Sequence, residues 1–546
     1  VLVSAVIGCY EGLPSSRGVA APSEAFRGGG APAGRKLNQG PAEQRSSHKS
    51  SGRNAAGAVK NGSSTRGRPV PQITRSGEEK SVFDINSEHP DYTLRKATWK
   101  KYRDLYVGGD QFMANASEYL VRRHKEPLDV YYERLQRAFY ENYLGSIIDW
   151  YAGTLFRREP ILTFQGPNEA GRTFYSDFVE DCDHRGTCIS DFYRKVLVEA
   201  MVCGTAYVLV DFPRAKEPAL NRAQEDAAGN SRAYLIDCAA SDVINWSHDS
   251  EGNLEWAVVR TSELRQQAPG ESGWARETIW RYFDKEEFQI YRLREGTKES
   301  GQPQLIDHGR HGLARLRQTP LFQFQANEGL WLANRSASLQ LEHFNKSNAL
   351  SWALTMGLFA CPVIYSEREW DQIIGESYYI QLGPEDRFGW TEPEGKVYQI
   401  AADNLVRLKD EIYRVCYLMT QAGGGLSSGG VNQSSGVSKQ RDFTITQEVL
   451  RAYGDAVKDS MRRVLRAIES AREDGLAIGV SGLDEFDIGD FSGELEDATK
   501  LLGLGMGSKT LRKEVLRKLA LKYLCDVRQE VKDRIATELD EWCERN

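Results

Sequence analysis

The sequence lacks any apolar run long enough to cross a bilayer. The longest, ALSWALTMGLFACPVIY at 349–365, falls short of a membrane span and is interrupted by Pro362. That argues against a helical integral membrane protein, and no membrane partner is expected. The opening VLVSAVIGCY lacks the basic n-region of a secretory signal, and its VIGC, although similar to a lipoprotein cleavage box, lies too close to the start to act as one. Cysteine is sparse: the nine, at 9, 182, 188, 203, 238, 361, 416, 525 and 543, are scattered and mostly sit in apolar patterns. Such usage points to buried thiols in a reducing compartment and away from a disulfide framework. Histidine is scarcer still. The eight lie apart, and none belongs to an HExxH, GxSxG or Ser/His/Asp order, so no familiar hydrolase signature is present. The 77 carboxylates supply close pairs by chance and carry no catalytic reading of their own, so no enzyme is expected.

Nucleotide and metal signatures are missing too. The stretch TQAGGGLSSGGVNQSSGVSKQ, residues 420–440, holds six glycines and five serines. It contains no GxxxxGK[ST]: Lys439 follows Ser438, and helical rather than strand-like sequence precedes it, so a phosphate-cradling loop and a dinucleotide fingerprint both fail. Cys182-Asp-His184-Arg-Gly-Thr-Cys188 has metal-ligand residue types but no second pair to complete a zinc site, and reads as a loop between helices. The acidic LDEFDIGDF, with Asp484, Glu485, Asp487 and Asp490, departs from the EF-hand spacing, and its alternation with Phe and Ile fits a strand with one polar face. No cofactor and no metal are expected.

What is present begins with a lopsided charge. Residues 1–75 carry eleven Lys/Arg and three Asp/Glu, whereas the remainder carries 59 and 74, a net of −15 under an overall −7. Residues 1–80, rich in Gly, Ala, Ser, Pro and Arg without apolar periodicity, read as a disordered basic tail. The acidic body does not suit a domain that grips DNA, because backbone binding needs Lys and Arg to displace counterions. Tyr (24) and Trp (11) are plentiful, as large contact surfaces require.

Element patterns follow. From Leu128 to Phe156 one helix is predicted, with Leu135, Phe139, Tyr143, Ile147 and Tyr151 stepping by four on one face; Pro160 limits its end and ILTFQ reads as a short strand. Helices are expected at about 172–182 and 189–202, the second broken by Gly204 before the buried strand AYVLVDF. A β-rich stretch spans 233 to about 325: AYLIDC, VINWSHD, EWAVVRTS, ETIWRYF, FQIYRL and PLFQF. Then come a helix at 336–360, a compact β-like stretch (CPVIYS, YYIQL, KVYQI) with EDRFGWTEPEG as its turn region, and a helix at 401–419. The Gly/Ser stretch separates that helix from a long one with Ile445, Val449, Tyr453, Val457, Met461, Val464 and Ile468 on one stripe, closing at Gly475. A helical region at 508–543 finishes the chain. No internal repeat is visible.

This order of parts, together with YYERLQRAFYENYLGSIIDWYAGTLFRREP, VEAMVCGTAYVLVDF and the junction NQSSGVSKQRDF, resembles the tailed-bacteriophage portal proteins, the head-to-tail connectors, over roughly 85–520. The resemblance implies an α+β, portal-like subunit of several regions. These are a disordered tail (1–80), an α/β wing (81–335), a first stem helix (336–360), a clip (361–400), a second stem helix (401–419), a tunnel loop (420–440), a long helix with the rest of the wing (441–500) and a helical, crown-like end (501–546). It further implies a homo-oligomeric ring, a dodecamer, at the portal vertex of the virion, assembled in the host cytoplasm. Double-stranded DNA would pass through its channel during packaging and ejection. The partners implied are the major capsid protein, the scaffold, the terminase large subunit and head–tail adaptor proteins.

The resemblance assigns roles to residues. The tunnel loop would present Gly423, Gly424, Gly425, Leu426, Ser427, Ser428, Gly429, Gly430, Val431, Asn432, Gln433, Ser434 and Ser435 to DNA, with glycine supplying backbone freedom and uncharged tips touching phosphates weakly. Asp403, Asp410 and Glu411 are candidates for an acidic channel lining, with a solvated face as the alternative; Tyr378, Tyr379, Gln381, Arg387 and Trp390 are candidates for partner docking at the clip. From another class, a polymer-processing enzyme with an unrecognised carboxylate site and the Gly/Ser stretch as its lid fits the same composition.

Overall fold

Strand β2 (Thr205–Asp211) is buried on both faces and lies between two cores: Ala206, Val208 and Val210 enter one, Tyr207 and Leu209 the other. The computed structural model describes residues 84–213, 231–266, 273–295, 301–358, 361–367, 382–391, 395–418, 436–484 and 509–523, with a few isolated positions besides. The basic segment 1–80 lies outside the described residues, as do most of YYIQL and most of LDEFDIGDF. The described residues belong to one unit, Lys80–Asn546, and its class is α+β.

Helices α1 (Pro90–Val107), α2 (Gly109–Ala114) and α3 (Ala116–Tyr119) open the described chain. Pro90 sits in the first turn of α1, where no amide hydrogen is needed, and the His89 ring accepts from the Asp91 N–H. The single helix expected over 128–156 is two: α4 (Leu128–Gln136) and α5 (Tyr143–Leu155). The step-of-four face does not survive the break. Leu144, Ile147 and Tyr151 are buried, whereas Phe139 lies between the helices and is partly exposed. Asn142 starts α5 by accepting from the Gly145 N–H at 2.8 Å.

Strand β1 (Ile161–Gln165) appears where expected, followed by α6 (Glu169–Glu180) and α7 (Ile189–Cys203). Gly204 ends α7 at φ 81°, and a Cβ there would lie 2.9 Å from the Trp331 ring, so conformation and space both demand glycine. Strands β3 (Tyr234–Cys238), β4 (Val243–His248), β5 (Leu254–Gln266), β6 (Trp274–Phe283), β7 (Glu287–Arg294), β8 (Gln304–Arg310) and β9 (Leu321–Gln325) follow. They form a three-stranded sheet in the order β3–β2–β9 and a five-stranded meander β4–β5–β6–β7–β8, antiparallel throughout. The smaller core fills the space between the two sheets with Tyr207, Leu209, Val259, Phe283 and Phe288.

Helix α8 (Leu332–Leu358), strands β10 (Cys361–Tyr365) and β11 (Arg387–Thr391), and helix α9 (Gly395–Val415) come next. Two expectations are corrected here. KVYQI is the first turn and a half of α9: Val397 and Ile400, three apart, continue the helical spacing of Leu405, Leu408 and Ile412 rather than a strand's alternation. FGWT, placed in the turn region, is strand: β11 pairs antiparallel with β10 over Cys361↔Thr391 to Tyr365↔Arg387.

The long helix α10 (Gly436–Arg472) has 37 residues. Tyr453, Val457, Met461, Val464 and Ile468 are buried as the stripe requires, but Ile445 is exposed. Gly454 lets the chain after α10 cross close by: a Cβ there would lie 2.2 Å from the Leu483 carbonyl oxygen. The helix ends at Arg472, before Gly475, and a strand not foreseen, β12 (Ala477–Ser481), pairs with β1. Helix α11 (Lys509–Tyr523) is the longest described part of the C-terminal helical region.

Candidate functional site

Three contacts fix α8 and α9 as an antiparallel pair. Arg335 Nε donates to the Val415 carbonyl at 2.9 Å, Lys346 Nζ to Asn404 Oδ1 at 3.1 Å, and the Tyr398 hydroxyl to the Ala353 carbonyl at 3.3 Å. As the α8 number rises, the α9 number falls in step. At roughly 1.5 Å per residue the 27 and 21 residues extend to about 40 and 32 Å, and the β10–β11 hairpin joins their far ends.

The near part of α8 is stitched to the body by amide side chains. Tyr102 donates to Asn334, Gln340 Nε2 donates to the Glu141 carbonyl at 2.7 Å, and Asn345 accepts from the Val121 N–H at 2.8 Å while donating to the Tyr119 carbonyl. Asn348 accepts from the Phe139 N–H and donates to its carbonyl. These contacts explain the break between α4 and α5. Backbone groups freed by interrupting a helix need partners, and Gln340 and Asn348 supply them from another element.

His343 is buried in the same seam. Its Nε2 lies 3.7 Å from Glu141 Oε2, its ring meets Tyr143 edge-on at 5.1 Å, and its Nδ1 has no hydrogen-bond partner. Burial lowers its pKa, Glu141 opposes that, and Lys409 from α9 adds to it.

Away from the body the pair changes character. Leu354, Met356, Val397, Ile400 and Val406 are exposed, Met356 and Val397 by 59 and 62%. Apolar surface of this kind on two neighbouring helices is what a partner covers.

The root of α9 leads into the Gly/Ser stretch. Cys416 and Leu418 are buried, the Tyr151 hydroxyl donates to the Cys416 carbonyl at 2.7 Å, and Tyr417 takes a left-handed φ of 64° under the Arg335 guanidinium. Thr446 Oγ1, from α10, donates to the Tyr417 carbonyl at 2.6 Å. This bond ties the end of α9 to α10 ten residues after its first residue, Gly436. Gly423, Gly424, Gly425, Leu426, Ser427, Ser428, Gly429, Gly430, Val431, Asn432, Gln433, Ser434 and Ser435 lie outside the described residues, as do Tyr378, Tyr379 and Gln381.

The remaining candidates are visible. Arg387 is exposed at the start of β11 opposite Tyr365, and Trp390 is paired in register with Pro362. Asp403 is exposed and accepts from Gln399 Nε2 at 2.8 Å; Asp410 is half-buried. Glu411 is paired with Arg414, whose hydrogen bonds hold its carboxyl below the usual range. At about 100° per residue, Asp403, Arg407, Asp410, Glu411 and Arg414 fall within an arc of about 100°. This face therefore mixes both signs: α9 carries four basic and three acidic side chains. Arg407 and Arg414 interleave with the candidate acids at helical spacing.

Other sequence candidates have local duties. The Cys188 thiol accepts from the Asp191 N–H as the cap of α7, Cys182 is buried with its pKa raised by burial, and His184 packs against Tyr234. Among the described residues no group of three or more His, Cys, Asp or Glu is placed to hold a metal ion, and no described helix is long and apolar enough to cross a membrane.

No protein-family model matches the chain, and no curated protein matches it. Solved structures do. One, described as the neck of an empty GTA particle computed with C6 symmetry, is 13% identical at a TM-score of 0.38, covering 73% of this chain and 96% of the other. A second, the virion of a native gene transfer agent (GTA) particle, is 12% identical at a TM-score of 0.36, with 66% and 86% covered. A third, the neck of a native GTA particle computed with C12 symmetry, is 12% identical at a TM-score of 0.33, with 67% and 87% covered.

Proposed function

We propose that this chain is a phage portal subunit: a ring at the portal vertex whose channel passes double-stranded DNA, and a docking platform for terminase and head–tail adaptor proteins. One observation carries the reading. A helix pair with a distal β hairpin runs directly into a Gly/Ser stretch that leads into a 37-residue helix, and Thr446 of that helix donates to the Tyr417 carbonyl just before the stretch. The resemblance implies the same order of parts, stem, clip, tunnel loop and long helix, and that agreement supports the reading. Exposed apolar side chains on both stem helices fit burial between neighbouring copies.

The acidic body has a use in this setting. A channel must let DNA slide, and a wall that bound phosphates through many cations would hold it. The mixed-sign face of α9, with Glu411 neutralised by Arg414, suits weak contact better than a purely acidic lining. The subunit is a conduit, with ATP hydrolysis left to a separate terminase. A carboxylate enzyme gains no support from the described candidates, since Asp403 and Glu411 are engaged by Gln399 and Arg414.

Negative-stain imaging and sedimentation of the purified chain test the reading. Rings with a central hole are expected; a compact monomer at all concentrations overturns it.

A further inference from the structure

The two edges of the three-stranded sheet carry clefts of opposite charge. Against β9 a cleft of about 680 Å³ is lined by Phe324 and Gln325 and by Asp459, Arg462, Arg463 and Arg466 of α10. Against β3 a cleft of about 610 Å³ holds Asp149, Asp191, Glu199 and Asp237 together with Arg194 and Lys195 of α7. By formal charge of these side chains the first is positive by two and the second negative by two. Both flank the same end of the sheet, since Gln325 pairs with Thr205 and Cys238 with Tyr207, and the order β3–β2–β9 puts them on opposite edges.

Existing contacts decide which charges are available. Arg462 is engaged by Asp459 and the Val480 carbonyl, and Arg463 donates to the Gln323 carbonyl. Arg466 is exposed beside them. In the other cleft Glu199 is paired with Arg103 and Asp149 accepts from Tyr106, while Asp191 and Asp237 are exposed.

We infer that these clefts are the two halves of one contact between neighbouring copies, the arginine cleft of one receiving the acidic cleft edge of the next. The inference rests on the ring reading and deepens it. A contact between two different patches of the same chain is head-to-tail, and head-to-tail contacts close into rings when the rotation permits. The exposed Arg466 of one copy would meet the exposed Asp191 and Asp237 of the next. A nucleic acid suits the arginine cleft less well, because the body around it is acidic and three arginines do not make a track along a phosphate backbone.

The test is a charge swap. Arg466→Glu and Asp237→Lys singly should raise the concentration for half-assembly by about tenfold or more, as like charges brought face to face do. Circular dichroism and the melting temperature of the unassembled chain should stay unchanged. Arg466→Glu combined with Asp237→Lys should restore assembly, and the milder Arg466→Gln and Asp237→Asn should weaken it less and reduce its salt sensitivity. Single reversals that assemble like wild type, or a double variant no better than the singles, overturn the contact while leaving the ring. Wild type that forms no ring overturns the ring reading itself. Rings that stay intact while Arg466→Glu abolishes DNA binding would assign the cleft to a polyanion instead.

Discussion

Asn348 holds both backbone groups of Phe139: its Nδ2 donates to the carbonyl at 2.9 Å and its Oδ1 accepts from the N–H at 3.0 Å. One buried amide on α8 thereby replaces two bonds that a continuous helix over 128–156 would have made within itself. Replacing it by leucine strands both groups, each costing about 1–3 kcal/mol when buried and unpaired. Asn348→Leu should therefore speed hydrogen exchange across 137–145 by at least about tenfold. Asn348→Asp keeps the acceptor alone and should give a smaller increase. Exchange unchanged in Asn348→Leu would sink the explanation of the break.

That break shows why the sequence was legible only in part. The stripe from Tyr453 to Ile468 and the buried run AYVLVDF read correctly because burial follows local spacing. Positions 137–142 misread because their conformation is set by Gln340 and Asn348, some two hundred residues away. KVYQI and FGWT were misread for a related reason: short apolar runs fit both periods, and only their partners, α8 and β10, decide. The charge on α9 was legible in full but read too narrowly, since Arg407 and Arg414 recur at helical spacing beside the candidate acids.

His343 gives the seam a pH dependence of known sign. Burial favours its neutral form, so its folded pKa lies below the ordinary 6.5. Its contribution to stability is then complete above the unfolded value and is lost as pH falls through the folded one. Glu141 and Tyr143 face it from the body, Lys409 of α9 acts on it by charge, and Tyr413 of α9 packs on Tyr143. His311 is shifted the same way, so the comparison must be with a variant. Melting temperatures from about pH 7 to pH 5.5 should fall more steeply for wild type than for His343→Gln. Parallel curves would remove His343 from this role.

Val397 and Ile400, three apart on the first turns of α9, are exposed by 62 and 59%. Covering side chains of this size excludes roughly 1.5–3 kcal/mol of unfavourable hydration apiece when burial is complete. Val397→Glu with Ile400→Glu should leave the melting temperature of the isolated chain within about a degree, because surface changes away from structural features seldom matter. The same variant should shift sedimentation from rings toward monomers. Rings of unchanged stability would show that this surface stays open to solvent in the assembly.

The last prediction concerns the segment between Leu418 and Gly436. Thr446 holds the Tyr417 carbonyl and Tyr151 the Cys416 carbonyl beside it, so the start of this segment is held by the body and not by the segment itself. Removing Gly423–Gly430 should therefore leave folding and ring assembly unaffected, since loop shortening changes closure entropy by only about 0.6 kcal/mol per halving. If the segment faces a DNA channel, as the resemblance implies, packaging or retention of DNA in assembled heads should fail. Thr446→Val should act in the same direction more weakly, because it frees the root without changing the segment. Packaging of full-length DNA by the deletion variant would remove the tunnel-loop assignment and leave the ring standing.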